Sequence, residues 1–116
     1  MRKKNPLEKV AQKAILDYLK YRGFVAFKHL NIGIKKPNGS YIPLPAGDKG
    51  ISDIIVCSPS GKFIAIEVKR EGEDASPVQK DFLKRVNDNS GYGFVARSID
   101  DVIENFGKII KKEGRI

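Results

Sequence analysis

Residues Ile51 to Arg70 read ISDIIVCSPSGKFIAIEVKR, and the alternation within them decides the fold. Ile64, Ile66 and Val68 fall on one side of an extended chain, and Phe63, Ala65, Glu67 and Lys69 on the other, because side chains in a strand repeat every two residues. The segment therefore predicts two strands, Ile51 to Ser58 and Lys62 to Arg70, joined by Pro59-Ser60-Gly61. A three-residue hairpin loop favours a type I turn followed by a left-handed residue, and Gly61 stands where that residue is required. The loop fixes a register: Ser58 opposite Lys62, Cys57 opposite Phe63, and so Asp53 opposite Glu67. Opposed residues share a face with Cβ atoms about 5 Å apart, which gathers Asp53, Glu67 and Lys69 unless a bulge shifts the pairing.

Working outward, Asn5-Pro6-Leu7-Glu8 opens a helix, with Asn5 as cap, Pro6 at the first helical position and Leu7, Val10, Ala11, Ala14, Ile15, Tyr18 and Leu19 at helical spacing. Gly23 ends it. Phe24 to Lys28 predicts a strand, and KKPNGSY, Lys35 to Tyr41, carries the Asn-Gly signal of a tight hairpin. Leu44 to Gly50 is a loop leading into Ile51. Beyond the central pair, Ser76-Pro77 starts a second helix with apolar Val78, Phe82, Leu83 and Val86. Tyr92 to Ala96 predicts a short strand, and Ser98 caps a last helix with Ile99, Val102, Ile103, Phe106 and Ile110 on one stripe. This order describes an α/β sandwich around a mixed sheet.

With 116 residues, 41% of them hydrophobic, the chain suits one compact domain over 1–116. It has no run of about 18 apolar residues and no signal-peptide pattern, so a membrane span and secretion are not expected. A lone Cys57, in an apolar strand, suits a reducing, cytoplasmic environment and a structural role. The net charge of +8 is confined to one end: residues 1 to 36 hold ten Lys/Arg against two acids, and the other eighty balance. Such an excess matches an electrostatic footprint for nucleic acid, or a solubility device.

One histidine, His29, and one cysteine exclude an ordinary zinc site. Neither GxxxxGK[ST] nor GxGxxG occurs, which argues against nucleotide-driven chemistry, and nothing resembles a nucleophile elbow. The facing carboxylates are the chemical signal. Their repulsion costs on the order of 1–4 kcal/mol at effective dielectrics of roughly 80 to 20. Lys69 can offset it as a structural ion pair with Glu67. A divalent ion such as Mg²⁺ does so with Asp53 and Glu67 as ligands and Lys69 left to orient or activate water. Glu8 borders the buried stripe of its helix, and Gln79 lies inside the apolar face of its own. Each also fits a capping box, Asn5-x-x-Glu8 and Ser76-x-x-Gln79.

Glu8, then Gly50-Ile51-Ser52-Asp53, then Glu67-Val68-Lys69-Arg70, then Ser76-Pro77-Val78-Gln79 resemble the PD-(D/E)xK nuclease superfamily, and within it the VRR-Nuc family. The resemblance implies a restriction-endonuclease-like sandwich, a central mixed sheet flanked by helices, and metal-dependent hydrolysis of DNA phosphodiesters. It implies that Asp53 and Glu67, with the Val68 carbonyl, ligate Mg²⁺ or Mn²⁺. Lys69 would position the attacking water, while Glu8, through a metal-bound water, and Gln79 support the site. Ser52 departs from the proline usual there, a position that shapes the strand and supplies no ligand. The resemblance to Holliday junction resolvases implies a homodimer cutting branched DNA. Nucleases of flaps, nicks or duplex, and a non-catalytic DNA-binding module, are the alternatives. Arg2, Lys3, Lys4, Lys9 and Lys13 form the expected DNA track, joined near the site by Lys35, Lys36, Lys49 and Arg70.

Overall fold

A computed structural model describes residues 6–29, 34–42 and 49–116. Arg2, Lys3, Lys4, the cap Asn5 and most of the expected loop at 44–50 lie outside the described residues. The elements are α1 (Pro6–Tyr21), β1 (Val25–Lys28), β2 (Ile34–Lys35), β3 (Tyr41–Ile42), β4 (Ile54–Cys57), β5 (Phe63–Val68), α2 (Pro77–Asp88), β6 (Tyr92–Ala96) and α3 (Ile99–Glu113). Four strands form one sheet in the order β1-β4-β5-β6. β4 pairs antiparallel with both β1 and β5, whereas β5 and β6 are parallel. A parallel pair needs a crossover, which α2 supplies. Sheet and flanking helices make the α/β sandwich expected from the sequence.

The pleat of β5 sorts the core into two sides. Ile64, Ile66 and Val68 join Ile54, Val56 and Ala96 against Ile15 and Leu19 of α1 and Val102, Phe106 and Ile109 of α3. Ala65 points the other way and packs with Leu83 and Val86 of α2. A strand covered on both faces is apolar almost throughout, which is why the polar Glu67 at its end is so informative. Phe106 anchors α3, stacked on Phe24 with ring centroids 5.2 Å apart and meeting Phe94 edge-on at 6.4 Å.

The central hairpin has the expected register, Cys57 opposite Phe63 and Ile54 opposite Ile66. Its loop closes by Gly61 N–H to the Ser58 carbonyl at 2.8 Å and Ser58 N–H to the Lys62 carbonyl at 3.0 Å, with Gly61 at φ +83°. The second hairpin repeats the device with Pro37-Asn38-Gly39 instead of a two-residue turn. Lys36 N–H reaches the Ser40 carbonyl at 2.7 Å, Gly39 N–H the Lys36 carbonyl at 3.0 Å, and Gly39 has φ +90°.

Three expectations shift. In α1 the buried positions are Glu8, Gln12, Ile15 and Leu19, whereas Leu7 and Val10 are exposed; the inward stripe is rotated so that its first two turns are polar. In α3 Ile109 turns inward, and Ile103 and Ile110 lie exposed on the flank. Cys57 is exposed, because α2 covers β5 and β6 and leaves the row Val25, Cys57, Phe63 open. No described helix is long and apolar enough to cross a membrane.

Candidate active site

Asp53 stands one residue before β4 and Glu67 one residue before the end of β5. Continuing the observed pairing by one step sets them opposite each other. The Val68 N–H, which a continued ladder would give to the Ser52 carbonyl, goes instead to Asp53 Oδ2 at 2.8 Å. The carboxylate thus ends the ladder, and β4 starts at Ile54 instead of Ile51. Asp53 is 6% exposed and Glu67 fully buried. Lys69, on the same face two residues on, is 2% exposed with its Nζ 4.0 Å from Glu67 Oε1.

Neighbouring strands extend this polar row. His29 N–H donates to the Asp53 carbonyl at 2.7 Å, so the register of β1 places His29 beside Asp53 on the side away from Glu67. Among the described residues, His29 Nε2 and Ser52 Oγ are buried without a hydrogen-bond partner, and buried polar atoms of that kind mark places built for a water, ion or substrate. On the other side Lys69 N–H donates to the Ala96 carbonyl at 3.1 Å. Arg97 follows, its Nη2 donating to the Glu73 carbonyl at 2.6 Å.

Glu8 is fully buried, and Gln12, one turn later, is 5% exposed. A helix that buries a carboxylate and an amide on its inward stripe requires polar company there. Gln79 forms the reciprocal cap of α2: its Oε1 accepts from Ser76 N–H at 2.8 Å, and its own N–H donates to Ser76 Oγ at 3.3 Å. The cap leaves the Gln79 side-chain NH₂ for other use. Gly50 ties the two regions, because its backbone passes so close to Val78 that a Cβ would lie 2.4 Å from the Val78 carbonyl oxygen.

The donor set decides which ion would fit. Among the described residues no three His, Cys, Asp or Glu side chains form a group able to hold an ion by themselves. Asp53 and Glu67, two buried carboxylates from adjacent strands, are groups that could hold a hard cation such as Mg²⁺, which keeps several waters and takes one or two carboxylates plus substrate phosphate. Lys9, Lys13, Lys35, Lys36, Lys49 and Arg70 are exposed. Lys13 pairs with Asp17 at 2.7 Å and Arg70 with Glu73 at 2.8 Å, contacts weak enough for phosphate to displace.

Sequence inspection missed Gln12 and Arg97, and set His29 at a strand end without pairing it with Asp53. The spacing Glu8, Gln12, Ile15, Leu19 is a helical stripe in its own right, and would have found the first. His29 and Arg97 lie just past strand ends, where alternation stops giving information.

Residues 44–100 match the family model of the VRR-NUC domain, a span that includes Asp53, Glu67, Lys69 and Gln79 but not Glu8. None of the curated proteins compared with the chain matches significantly. A solved structure described as a VRR_NUC domain is 20% identical, with a TM-score of 0.61 over 94% of this chain and 98% of its own. Another, described as a VRR_NUC domain protein, is also 20% identical, with a TM-score of 0.57 over 94% of this chain and 92% of its own. At that identity the two structures speak for the fold; the family is carried by the match over residues 44–100, across the central hairpin and the S-P-x-Q turn, to the VRR-NUC domain, a family of nuclease-type domains.

Proposed function

We propose that the protein is a metal-dependent endodeoxyribonuclease that hydrolyses phosphodiester bonds of branched DNA such as Holliday junctions. The observation that carries this is the buried, in-register pair Asp53 and Glu67 with Lys69 on the same face. A module that only bound DNA would gain nothing from opposed acids that repel phosphate.

Asp53, Glu67 and the Val68 carbonyl would hold Mg²⁺ or Mn²⁺, with Glu8 supporting through water. The bound ion supplies Lewis-acid stabilisation of the phosphate and acidifies a water. Asp53 is held in place by the Val68 N–H, so its carboxylate is presented without rotamer search. Lys69 orients the attacking water and stabilises charge developing on the phosphate; its burial beside Glu67 strengthens both effects. Gln79 presents its amide from the first turn of α2. Exposed Lys9, Lys13, Lys35, Lys36, Lys49 and Arg70, with Arg2, Lys3 and Lys4, neutralise backbone phosphates, so affinity should fall with salt at a log-log slope of roughly −0.9 per contact on duplex. A homodimer, acting in the cytoplasm, would bring two such sites to opposed strands of a junction.

The test is cleavage of a four-way junction, a flap, a nicked duplex and an intact duplex with Mg²⁺ or Mn²⁺, beside Asp53→Ala and Glu67→Ala, with light scattering for the oligomer. Metal-dependent cutting of the junction that both variants lose is the expected result. Variants that cut like the parent would remove the assigned site, and DNA binding without cutting by the parent would favour the binding module.

A further inference from the structure

The β2–β3 hairpin is inserted between two residues of the candidate site. The chain leaves the sheet at His29 and returns at Asp53, and these feet are joined by the 2.7 Å hydrogen bond from His29 N–H. Five residue steps separate His29 from Ile34, a span of at most roughly 18 Å, about half a turn of duplex DNA measured along its axis. The base of the hairpin therefore lies within reach of a strand seated on Asp53 and Glu67.

The hairpin is a two-stranded ribbon separate from the main sheet, and its strands pack chiefly on each other. Such a ribbon is marginal in water by itself. Its side chains from Lys35 to Ile42 are exposed, including Tyr41 at 42% and Ile42 at 44%. Tyr41 is directly opposite Lys35, so the ring and the ammonium share one face, while Ile42 projects from the other. With apolar side chains on both faces, docking one face onto the domain would leave the other wet. A ribbon of this kind suits insertion between two surfaces. An aromatic ring beside a lysine is the chemistry that stacks on a base and pairs with the adjoining phosphate.

We propose that the hairpin is a wedge that selects DNA with an unpaired or unstacked base beside the cut, Tyr41 stacking on that base and Lys35 and Lys36 contacting the phosphates flanking it. The proposal rests on the nuclease reading for its purpose, but its contact is measurable without catalysis. A fully paired duplex offers Tyr41 no base face, so the hairpin discriminates among DNA structures and not among sequences.

Two experiments on the intact chain test this. With EDTA present, 2-aminopurine is placed at the branch point of a junction or at the base of a flap, and fluorescence is followed on adding parent, Tyr41→Ala or Tyr41→Phe. The parent and Tyr41→Phe should quench it and Tyr41→Ala should not, since stacking needs the ring and not the hydroxyl. With Mg²⁺ present, the ratio of kcat/KM on branched against intact duplex DNA should fall about tenfold or more in Tyr41→Ala and hold in Tyr41→Phe. Equal losses on branched and duplex DNA would mean a hairpin lying in a groove, and would overturn the wedge, as would quenching by Tyr41→Ala equal to that of the parent. If the parent cuts nothing while Tyr41-dependent quenching persists, the nuclease reading fails and the wedge stands.

Discussion

Asp53 and Val68 are joined across the central hairpin by a 2.8 Å hydrogen bond from a backbone N–H to a carboxylate oxygen, at the point where the strand ladder stops. One candidate ligand is thus also a structural element, and its two roles separate by substitution. Asp53→Asn keeps an acceptor for the Val68 N–H and should cost about 1 kcal/mol, the difference between a charged and a neutral acceptor. Asp53→Ala leaves a buried N–H unmet and should cost about 1–3 kcal/mol. Urea denaturation in EDTA measures both. Each variant should lose about 10³-fold or more of the cleavage rate, and Mg²⁺ should raise the melting midpoint of the parent but of neither variant. A midpoint that Mg²⁺ raises equally in Asp53→Asn would exclude this carboxylate as a ligand.

Lys69 and Glu67 form an ion pair of 4.0 Å with side chains 3% and 0% exposed. Truncating one member of a buried pair is costly because the other charge is left in a poorly hydrated place. Lys69→Met should therefore lose about 3–5 kcal/mol, and the double variant Glu67→Gln with Lys69→Met less than the summed losses, by at least about 1 kcal/mol. Losses that add within about 0.5 kcal/mol would show that the two groups do not interact.

The central hairpin was legible because three constraints agreed: the alternation Ile64, Ile66, Val68, the Pro-x-Gly loop, and apolar cover on both faces. From the register alone, Asp53 falls opposite Glu67. The helices were less legible, because hydrophobicity identifies the face that can be buried and not the one that is. Leu7 and Val10 are apolar yet exposed, while Glu8 and Gln12 are polar yet buried. In α3, Ile109 and Ile110 are equivalent in composition, and the stacking of Phe106 on Phe24 settles which of them turns inward. The pairing of His29 with Asp53 and the place of Arg97 escaped because both depend on where neighbouring strands end, a tertiary fact.

Gly50 and Gly61 provide a paired test of how the site is assembled. Both have positive φ, +80° and +83°, but a Cβ at Gly50 would meet the Val78 carbonyl oxygen at 2.4 Å, whereas at Gly61 nothing lies within 4 Å. Gly61→Ala should cost about 1–2 kcal/mol for the left-handed backbone alone. Gly50→Ala adds a clash with backbone, roughly 1–3 kcal/mol more. Gly50 precedes Asp53 by three residues and Val78 adjoins Gln79, so relief of the clash must displace the strand entry or the first turn of α2. Cleavage should fall in Gly50→Ala and hold in Gly61→Ala. Equal denaturation midpoints for the two would show that the approach to Val78 is relaxed in solution.

At the far end of the sheet, where Tyr92 pairs with Ile64, Glu113 accepts from the Tyr92 hydroxyl and from Lys62 Nζ at 3.0 Å. The Tyr92 hydrogen bond, followed by that of Lys62, holds the Glu113 carboxyl below its ordinary value of 4.5. The same carboxylate, as acceptor, raises the Tyr92 hydroxyl above its ordinary 10.0. The signs are opposite. A lowered carboxyl stabilises the fold above its unfolded value, and that contribution is lost as pH falls through the lower folded value. A raised phenol stabilises below its unfolded value, and its contribution is lost as pH rises through the higher folded one. Melting midpoints measured from acid to alkaline pH should therefore decline at both ends in the parent. Glu113→Gln should flatten the acid decline, and Tyr92→Phe should remove the alkaline loss and part of the acid one. Neither residue lies near Asp53 or Glu67, so cleavage at neutral pH should be unchanged. A parent and Glu113→Gln with parallel profiles below pH 4.5 would show that the Tyr92, Glu113 and Lys62 cluster does not persist in solution.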